Sequence, residues 1–247
     1  MIQFFRRIRQ NLLHENRFSR YLLYAAGEII LVVIGILIAL QINNWNQRKN
    51  DLDQEKATVK SLKLEFEKNQ NELEANIASI RAIKAAGEYL LQFTGPDYKN
   101  GTLRQVDSLI YMTRRMSVWD PSLYTLSNIK NSGKLASLTS QELKMKLIEW
   151  ESFYANLEDW FDFYVDGGER YFAYMEEHAN TRNLSAQDQV QLGYSKFPGS
   201  NEDLLRSQSF ESILIDRIMV NVFILRYYEE AKAKLADIIR ACEAYEG

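Results

Sequence analysis

Cysteine, histidine and proline are nearly missing from this sequence, and each scarcity removes a class of chemistry. Cys242 is the single cysteine, so neither an internal disulfide nor a CxxC metal or redox pair can form. It reads as a small apolar residue on a helix face. His14 and His178 lie on either side of a long apolar run, so they cannot share a metal within one chain. In "YMEEH", Glu176, Glu177 and His178 are adjacent, and adjacent residues on a helix point in different directions. That stretch reads as a solvated helix end. No GxSxG, P-loop or GxGxxG motif occurs, and Glu149/Glu151 and Asp159/Asp162 read as exposed helix faces. No catalytic, metal-binding or cofactor-binding residue is assigned, and a non-enzyme is expected. A formal net charge of −3 over 247 residues excludes a protein that coats nucleic acid, since such binding rests on neutralising phosphates. With 3 prolines and 11 glycines, and ample Ala, Leu, Glu, Lys and Gln, the composition favours helices. No alternating strand pattern and no internal repeat is visible.

What is present is "GEIILVVIGILIALQINNWN", Gly27 to Asn46. From Tyr21 to Ile42 the only charge is Glu28. A helix of that length spans ~33 Å, enough for a ~30 Å hydrocarbon core. Tyr21, Tyr24 and Trp45 sit near its ends, where amphipathic rings favour the interfaces. A cleavable signal has an apolar core of about 7 to 15 residues followed by a small-residue site. This run is longer and ends in Gln-Ile-Asn-Asn-Trp, so an uncleaved anchor is expected over 21–45. Arg6, Arg7, Arg9, Arg17 and Arg20 precede it, whereas Arg48 and Lys49 are soon met by Asp51, Asp53 and Glu55. That bias places the N-terminus in the cytoplasm and residues 46–247 across the membrane. Residues 1–20 carry Phe5, Ile8, Leu12 and Phe18 among the arginines. They read either as a helix lying on the anionic inner leaflet or as a disordered basic tail. The five arginines and Trp45 are the expected membrane-surface contacts.

Glu28 raises the functional question. Tyr24, Glu28, Gly35 and Ala39 fall on one helical stripe, with Gly27 beside it. Small residues let another helix approach closely, and polar side chains can bond across such a contact. A glutamate facing lipid costs roughly 2.5 kcal/mol or more at the bilayer centre. Three readings follow: a helix–helix contact, a side chain snorkelling toward the cytoplasmic interface, or an ion or proton path.

Beyond the membrane, Leu52, Val59, Phe66, Leu73 and Ile80 recur at sevens, with Leu62, Ile77, Ile83 and Leu90 as partial second positions. This predicts a stalk helix from about Asn46 to Phe93, up to ~70 Å long. Its second row is broken by Glu55, Asn69 and Asn76. "TGPDYKNG" ends it. A second helical stretch covers Thr102 to about Met116, Pro121 suits a helix start, and "NSG" suits a stop with Gly133 as the left-handed cap. A helix beginning near Ser140 runs to about His178 and is rich in aromatics. Trp150, Tyr154, Trp160 and Tyr164 either fill a core or line a pocket for a lipid, peptide or sugar. Asp166-Gly167-Gly168 marks a kink or a tight packing point. Asn180 to Asn201 is a polar loop or lid. The last helix, Leu204 to about Tyr245, is expected to bury Ile213, Ile215, Met219, Val222, Phe223 and Leu225 before turning polar. The fold expected is all-α, with one N-terminal transmembrane helix followed by a periplasmic bundle of four or five helices.

"FFRRIRQNLL", "GEIILVVIGILIALQINNWN" and "SGKL" resemble an uncharacterised family of Bacteroidota inner-membrane proteins. The resemblance is most specific over the first fifty residues. It implies the inner membrane of a diderm bacterium and no known activity. The leading expectation is a self-associating membrane protein, a homo-oligomer contacting the bilayer, with other membrane or periplasmic proteins as further candidate partners, that acts as a periplasmic scaffold or docking module. A ligand-sensing module working through a partner, or an accessory subunit of an ion-driven complex using Glu28, are the alternatives.

Overall fold

The computed structural model describes residues 18–184 and 192–246. Its helices are α1 (Phe18–Leu91), α2 (Val106–Arg114), α3 (Tyr124–Asn131), α4 (Lys134–Ser137), α5 (Gln141–His178), α6 (Thr181–Leu184) and α7 (Gln208–Glu246). A 3-10 turn, Asn201–Arg206, precedes α7. Among the described residues there is no strand, so the all-α class holds. Several ends obey local chemistry. The Ser140 side chain accepts from Leu143 N–H at the start of α5, satisfying one of the orphan donors there. Gly133, at φ 75° between α3 and α4, takes the left-handed conformation that glycine adopts without steric cost. Pro121 lies three residues ahead of the next helix, which begins at Tyr124. The second stretch is shorter than Thr102–Met116, because Gln105 at φ 60° interrupts the backbone just before α2.

The chain divides into two compact units, Met1–Ala57 and Thr58–Gly247. In the first, every side chain from Ala26 to Gln54 is exposed. Leu52, counted above as the first heptad position, is among them. The packed domain therefore begins near Val59 and not at Asn46. In the second unit the heptad reading of α1 is confirmed. Val59, Phe66, Leu73 and Ile80 are fully buried, and Leu62, Ile77, Ile83 and Leu90 are buried with them. Val59, Leu62, Phe66, Leu73, Ile77 and Ile80 join residues of α5 and α7, including Leu143, Leu147, Leu157, Ile224, Leu235 and Cys242, in the main core. A second core, with Ile110, Tyr171, Met175, Leu205, Phe210 and Leu214, closes the other end.

The expected face of α7 is corrected. Ile215, Met219, Val222 and Phe223 are exposed, whereas Phe210, Leu214, Ile218, Ile224, Tyr228, Leu235 and Ile238 are buried. The apolar face also continues to Cys242 and does not turn polar midway. The helix carries apolar residues on two faces, and composition favoured the wrong one.

Polar positions on α1 account for the loop between α2 and α3. Asn69 is fully buried. Its Nδ2 donates to Ser122 O at 2.8 Å and its Oδ1 accepts from Ser122 N at 2.9 Å. Two turns on, Asn76 Oδ1 accepts from Ser117 Oγ at 2.6 Å. One turn earlier, Glu65 Oε2 accepts from Thr125 N and Oγ1 at 2.8 and 2.7 Å, serving the first turn of α3. The loop so held inserts Trp119, which is 1% exposed. Its indole N–H donates to Asn69 O at 3.1 Å and its backbone N–H to the Tyr228 hydroxyl at 3.0 Å.

Arg217 of α7 is buried as well. It donates to Thr113 O and Arg115 O at 3.2 and 2.6 Å and lies 5.2 Å from the Tyr164 ring centroid. The guanidinium thus caps the last carbonyls of α2, where a cation complements the helix dipole, and a ring face adds to its stabilisation. Close helix approach depends on glycine. A Cβ on Gly167 would lie 2.9 Å from Val220 Cγ2, one on Gly168 2.5 Å from Met116 Sδ, and one on Gly87 2.9 Å from Ile218 Cγ1. α5 runs unbroken through Gly167 and Gly168, and that pair is a tight packing point.

Asn69→Ala should destabilise the protein by about 2 to 4 kcal/mol, because it strands a buried N–H and C=O of Ser122. Chemical denaturation of the purified full-length chain followed by helical circular dichroism measures this; an unchanged midpoint would show that the loop does not depend on Asn69.

Candidate functional site

Two features of the chain invite function: the apolar half of α1 and a polar cleft in the second unit. The first contains the one stretch among the described residues that is long and apolar enough to cross a membrane, with mean hydropathy 2.5 over its best window and none of that window buried. Glu28, Gly35 and Ala39 lie on one face of it, with Gly27 adjacent, and all are exposed. A Cβ added at Gly27 or Gly35 would meet no atom within 4 Å. Trp45 is exposed at the far end of the run. Arg20 and Tyr24 are on α1, but their side chains lie outside the described residues, as do Arg6, Arg7, Arg9 and Arg17. The stripe is thus laid out as the spacing implies, on a helix surface that no other part of the described chain covers.

The cleft has a volume of about 730 Å³ and lies around the start of α6 and the segment before the 3-10 turn. His178, Asn180, Arg182, Asn201 and Asp203 line it, and Phe197 stands at its rim, 82% exposed. Asn201 organises its floor: its Oδ1 accepts from Asn180 N at 2.6 Å, and its Nδ2 donates to Asp107 Oδ1 at 2.6 Å. Arg182 donates through Nε and Nη2 to Leu192 O. The Asn100 amide, ahead of the Ser200 N–H, holds the Asp203 carboxyl below the usual carboxylate range. His178 stacks against Tyr174 with ring centroids 4.4 Å apart and lies 3.8 Å from the Glu177 carboxylate. No serine or cysteine hydrogen-bonds to it, and no cluster of metal-ligating side chains occurs, among the described residues. The arrangement can hold a polar ligand by hydrogen bonds. It contains no assembled nucleophile and base. Sequence reading treated this segment only as a loop or lid, because Asn201, its organising residue, sits in no recognisable pattern.

The aromatic belt lies elsewhere. Trp150 and Tyr164 have no exposed surface. Trp150 packs edge-on to Phe66 and Trp119, at 5.9 and 6.2 Å between centroids. Tyr154 and Trp160 are partly buried against the same core. Of the two readings left open, core is the one that applies to Trp150 and Tyr164.

Burial also sets the acidity of three tyrosines. Desolvation pushes the Tyr171 phenol up to about 12, against the opposing hydrogen bond from Thr113 and the charges of Arg217 and Arg114. Desolvation pushes Tyr154 up to about 12, helped by Glu158 and Asp120. Tyr228 is raised by burial in spite of the Trp119 N–H it accepts. Compared with protein-family models, curated proteins and solved structures, the chain matches none.

The raised phenols have a stability consequence. In the unfolded chain tyrosine ionises from about pH 10, whereas in the folded chain these hydroxyls stay neutral longer. Their contribution is complete below that pH and is lost as pH rises toward the folded values. Between about pH 10 and pH 12 the denaturation midpoint should fall, Tyr171 alone contributing roughly 2 to 3 kcal/mol. Tyr171→Phe should flatten that decline. A midpoint constant across the interval in the parent protein would contradict the assignment.

Proposed function

We propose that the chain is a self-associating, single-pass membrane protein whose helical domain serves as a non-enzymatic scaffold or docking module. The observation that carries this reading is the apolar half of α1, a helix of membrane-spanning length whose surface is entirely exposed, joined in one chain to a domain that closes its own core. Such a helix has no stable place in water, and a lipid bilayer is the partner its surface suits. The arginine bias supports a cytoplasmic N-terminus and a periplasmic domain, and the motif resemblance supports the inner membrane of a diderm bacterium. Glu28 supports self-association, because a carboxylate is costly in hydrocarbon and small residues share its face. The cleft bounded by Asn180 and Asn201 favours a second reading, in which the domain senses a polar ligand and acts through a partner.

A reporter fused after Gly247 should be active only in its exported form. Activity of a cytoplasm-dependent reporter at that position overturns the orientation.

Self-association is tested by energy transfer between differently labelled full-length copies in membranes. Glu28→Gln keeps shape and hydrogen-bonding capacity and should leave association nearly unchanged. Glu28→Leu should weaken it by about 1 to 2 kcal/mol, and Gly35→Leu should weaken it further by blocking close approach. An ion path predicts a different order, in which Gln abolishes a cellular phenotype and leaves association intact. No effect of any of the three substitutions removes the membrane stripe as a contact.

A further inference from the structure

The outward face of α7 is apolar where a surface helix should be polar. Its inner face is satisfied by the core, and its two flanks are closed. On one side Gly87 of α1 abuts Ile218 and Leu214, and Arg81 pairs with Glu229 at 2.5 Å. On the other, Gly167 of α5 abuts Val220, and Trp160 stacks on Tyr227 at 4.7 Å. Between these flanks Ile215, Met219, Val222 and Phe223 recur at one and two turns, each 37 to 44% exposed. Phe163 of α5, 41% exposed, extends the strip, because Trp160 touches both Phe163 and Phe223 at 5.7 and 6.1 Å between centroids.

We propose that this strip is the contact surface for a second copy of the chain, the two copies being related by a two-fold axis running along α7. The inference rests on the self-associating reading above and names the surface responsible in the helical domain. Area is the first argument. Five large side chains of on the order of 200 Å² each, about two-fifths exposed, present roughly 400 Å² of continuous apolar surface. That is within the range of the largest patch on an ordinary monomer, and such patches are often functional. Ordinary stable interfaces bury ~800 Å² per partner, so the polar borders on both sides would have to supply about half of the contact.

Charge is the second argument, and it points to a copy of this chain. A two-fold axis along α7 sets the α5 border of one copy against the α1 border of the other. The internal contacts fix the levels: Arg81 is beside Glu229 and Gly87 beside Ile218, while Trp160 is beside Tyr227 and Gly167 beside Val220. To within a helical turn, Asp159 is then level with Arg81, Asp166 with Lys84, and Arg170 with Glu88. The exposed border of α5 reads acid, acid, base, and the border of α1 at the same heights reads base, base, acid. Symmetry makes each match twice. Arg81 and Lys84 now pair with Glu229 and Glu88 of their own copy. Those are surface pairs of small net energy, so sharing them with a facing carboxylate costs little.

The test uses the full-length chain in membranes, with Met219→Cys and Arg226→Cys made separately; the native Cys242 is buried. Residues near a two-fold axis meet their own copies, so mild oxidation should yield a disulfide-linked dimer at both positions and none for Tyr124→Cys, an exposed site on α3. Asp166→Lys should reduce the Met219→Cys dimer at least several-fold, and Lys84→Glu added in the same chain should restore it. Dimer at one position only indicates copies running oppositely and overturns the proposed axis. Energy transfer between copies with no crosslink at either position overturns this surface and leaves the scaffold reading standing on the membrane helix. Absence of both energy transfer and crosslink overturns the two together.

Discussion

The bundle depends on the amide of Asn69. The loop between α2 and α3 buries Trp119 and Pro121 while Val118 and Asp120 stay exposed, and backbone carried inward with them must find partners. Asn69 matches both donor and acceptor of Ser122 at once, and its own carbonyl receives the indole N–H of Trp119. That places Trp119 between Trp150 and Tyr228, where one side chain from the loop joins the packing of α1, α5 and α7. Without the amide, the Ser122 N–H and C=O lose their partners, and the loop is left to the bonds that Trp119 itself makes. Arg217 performs the matching task at the other side of the loop by holding the carbonyls at the end of α2. Two buried polar groups, one neutral and one charged, thus fix a segment that hydrophobic packing alone would leave in several registers.

Much of this was legible in sequence because it rests on local rules. The sevenfold recurrence from Val59 to Ile80 found the buried face of α1, and Ser140 and Gly133 found helix ends. What was not legible is instructive. Asn69 and Asn76 were read as faults in a heptad row, since periodicity scores a polar residue as a loss. In the folded chain they are the positions that hold the loop, a role requiring knowledge of what lies 53 and 41 residues away. The face of α7 was misassigned for a related reason. Ile215, Met219, Val222 and Phe223 form as good a stripe as Leu214, Ile218 and Ile224, and which one turns inward depends on partners distant in sequence, Gly87 and Gly167 among them. Of the candidate sites, the stripe around Glu28 could be drawn from spacing alone. The cleft at Asn180 and Asn201 could not, because its parts come from segments 21 and 94 residues apart.

The two units obey opposite rules of surface composition. In Thr58–Gly247 most large apolar residues are enclosed, the exceptions being the strip on α7 and separate residues such as Leu64, Tyr124, Met145 and Phe197. In Met1–Ala57 the described apolar residues all face outward. A single helix, α1, contributes to both, and its residue pattern changes from a continuous apolar band to a heptad seam between Trp45 and Val59. The change of pattern therefore falls within one uninterrupted element, without a proline or glycine to mark it.

The order of elements along the chain has a consequence for biogenesis. The buried seam of α1 emerges from the ribosome well before α7, which packs with it in the main core. The hydrogen bond between Trp119 and Tyr228 spans 109 residues, and contacts of such long range form late. Throughout synthesis the seam from Val59 to Leu90 is therefore without its cover, in a chain whose preceding segment already favours lipid. Any product cut short before α7 presents that seam permanently, as a ready substrate for holding chaperones and proteases. Closure of the main core therefore waits for α7.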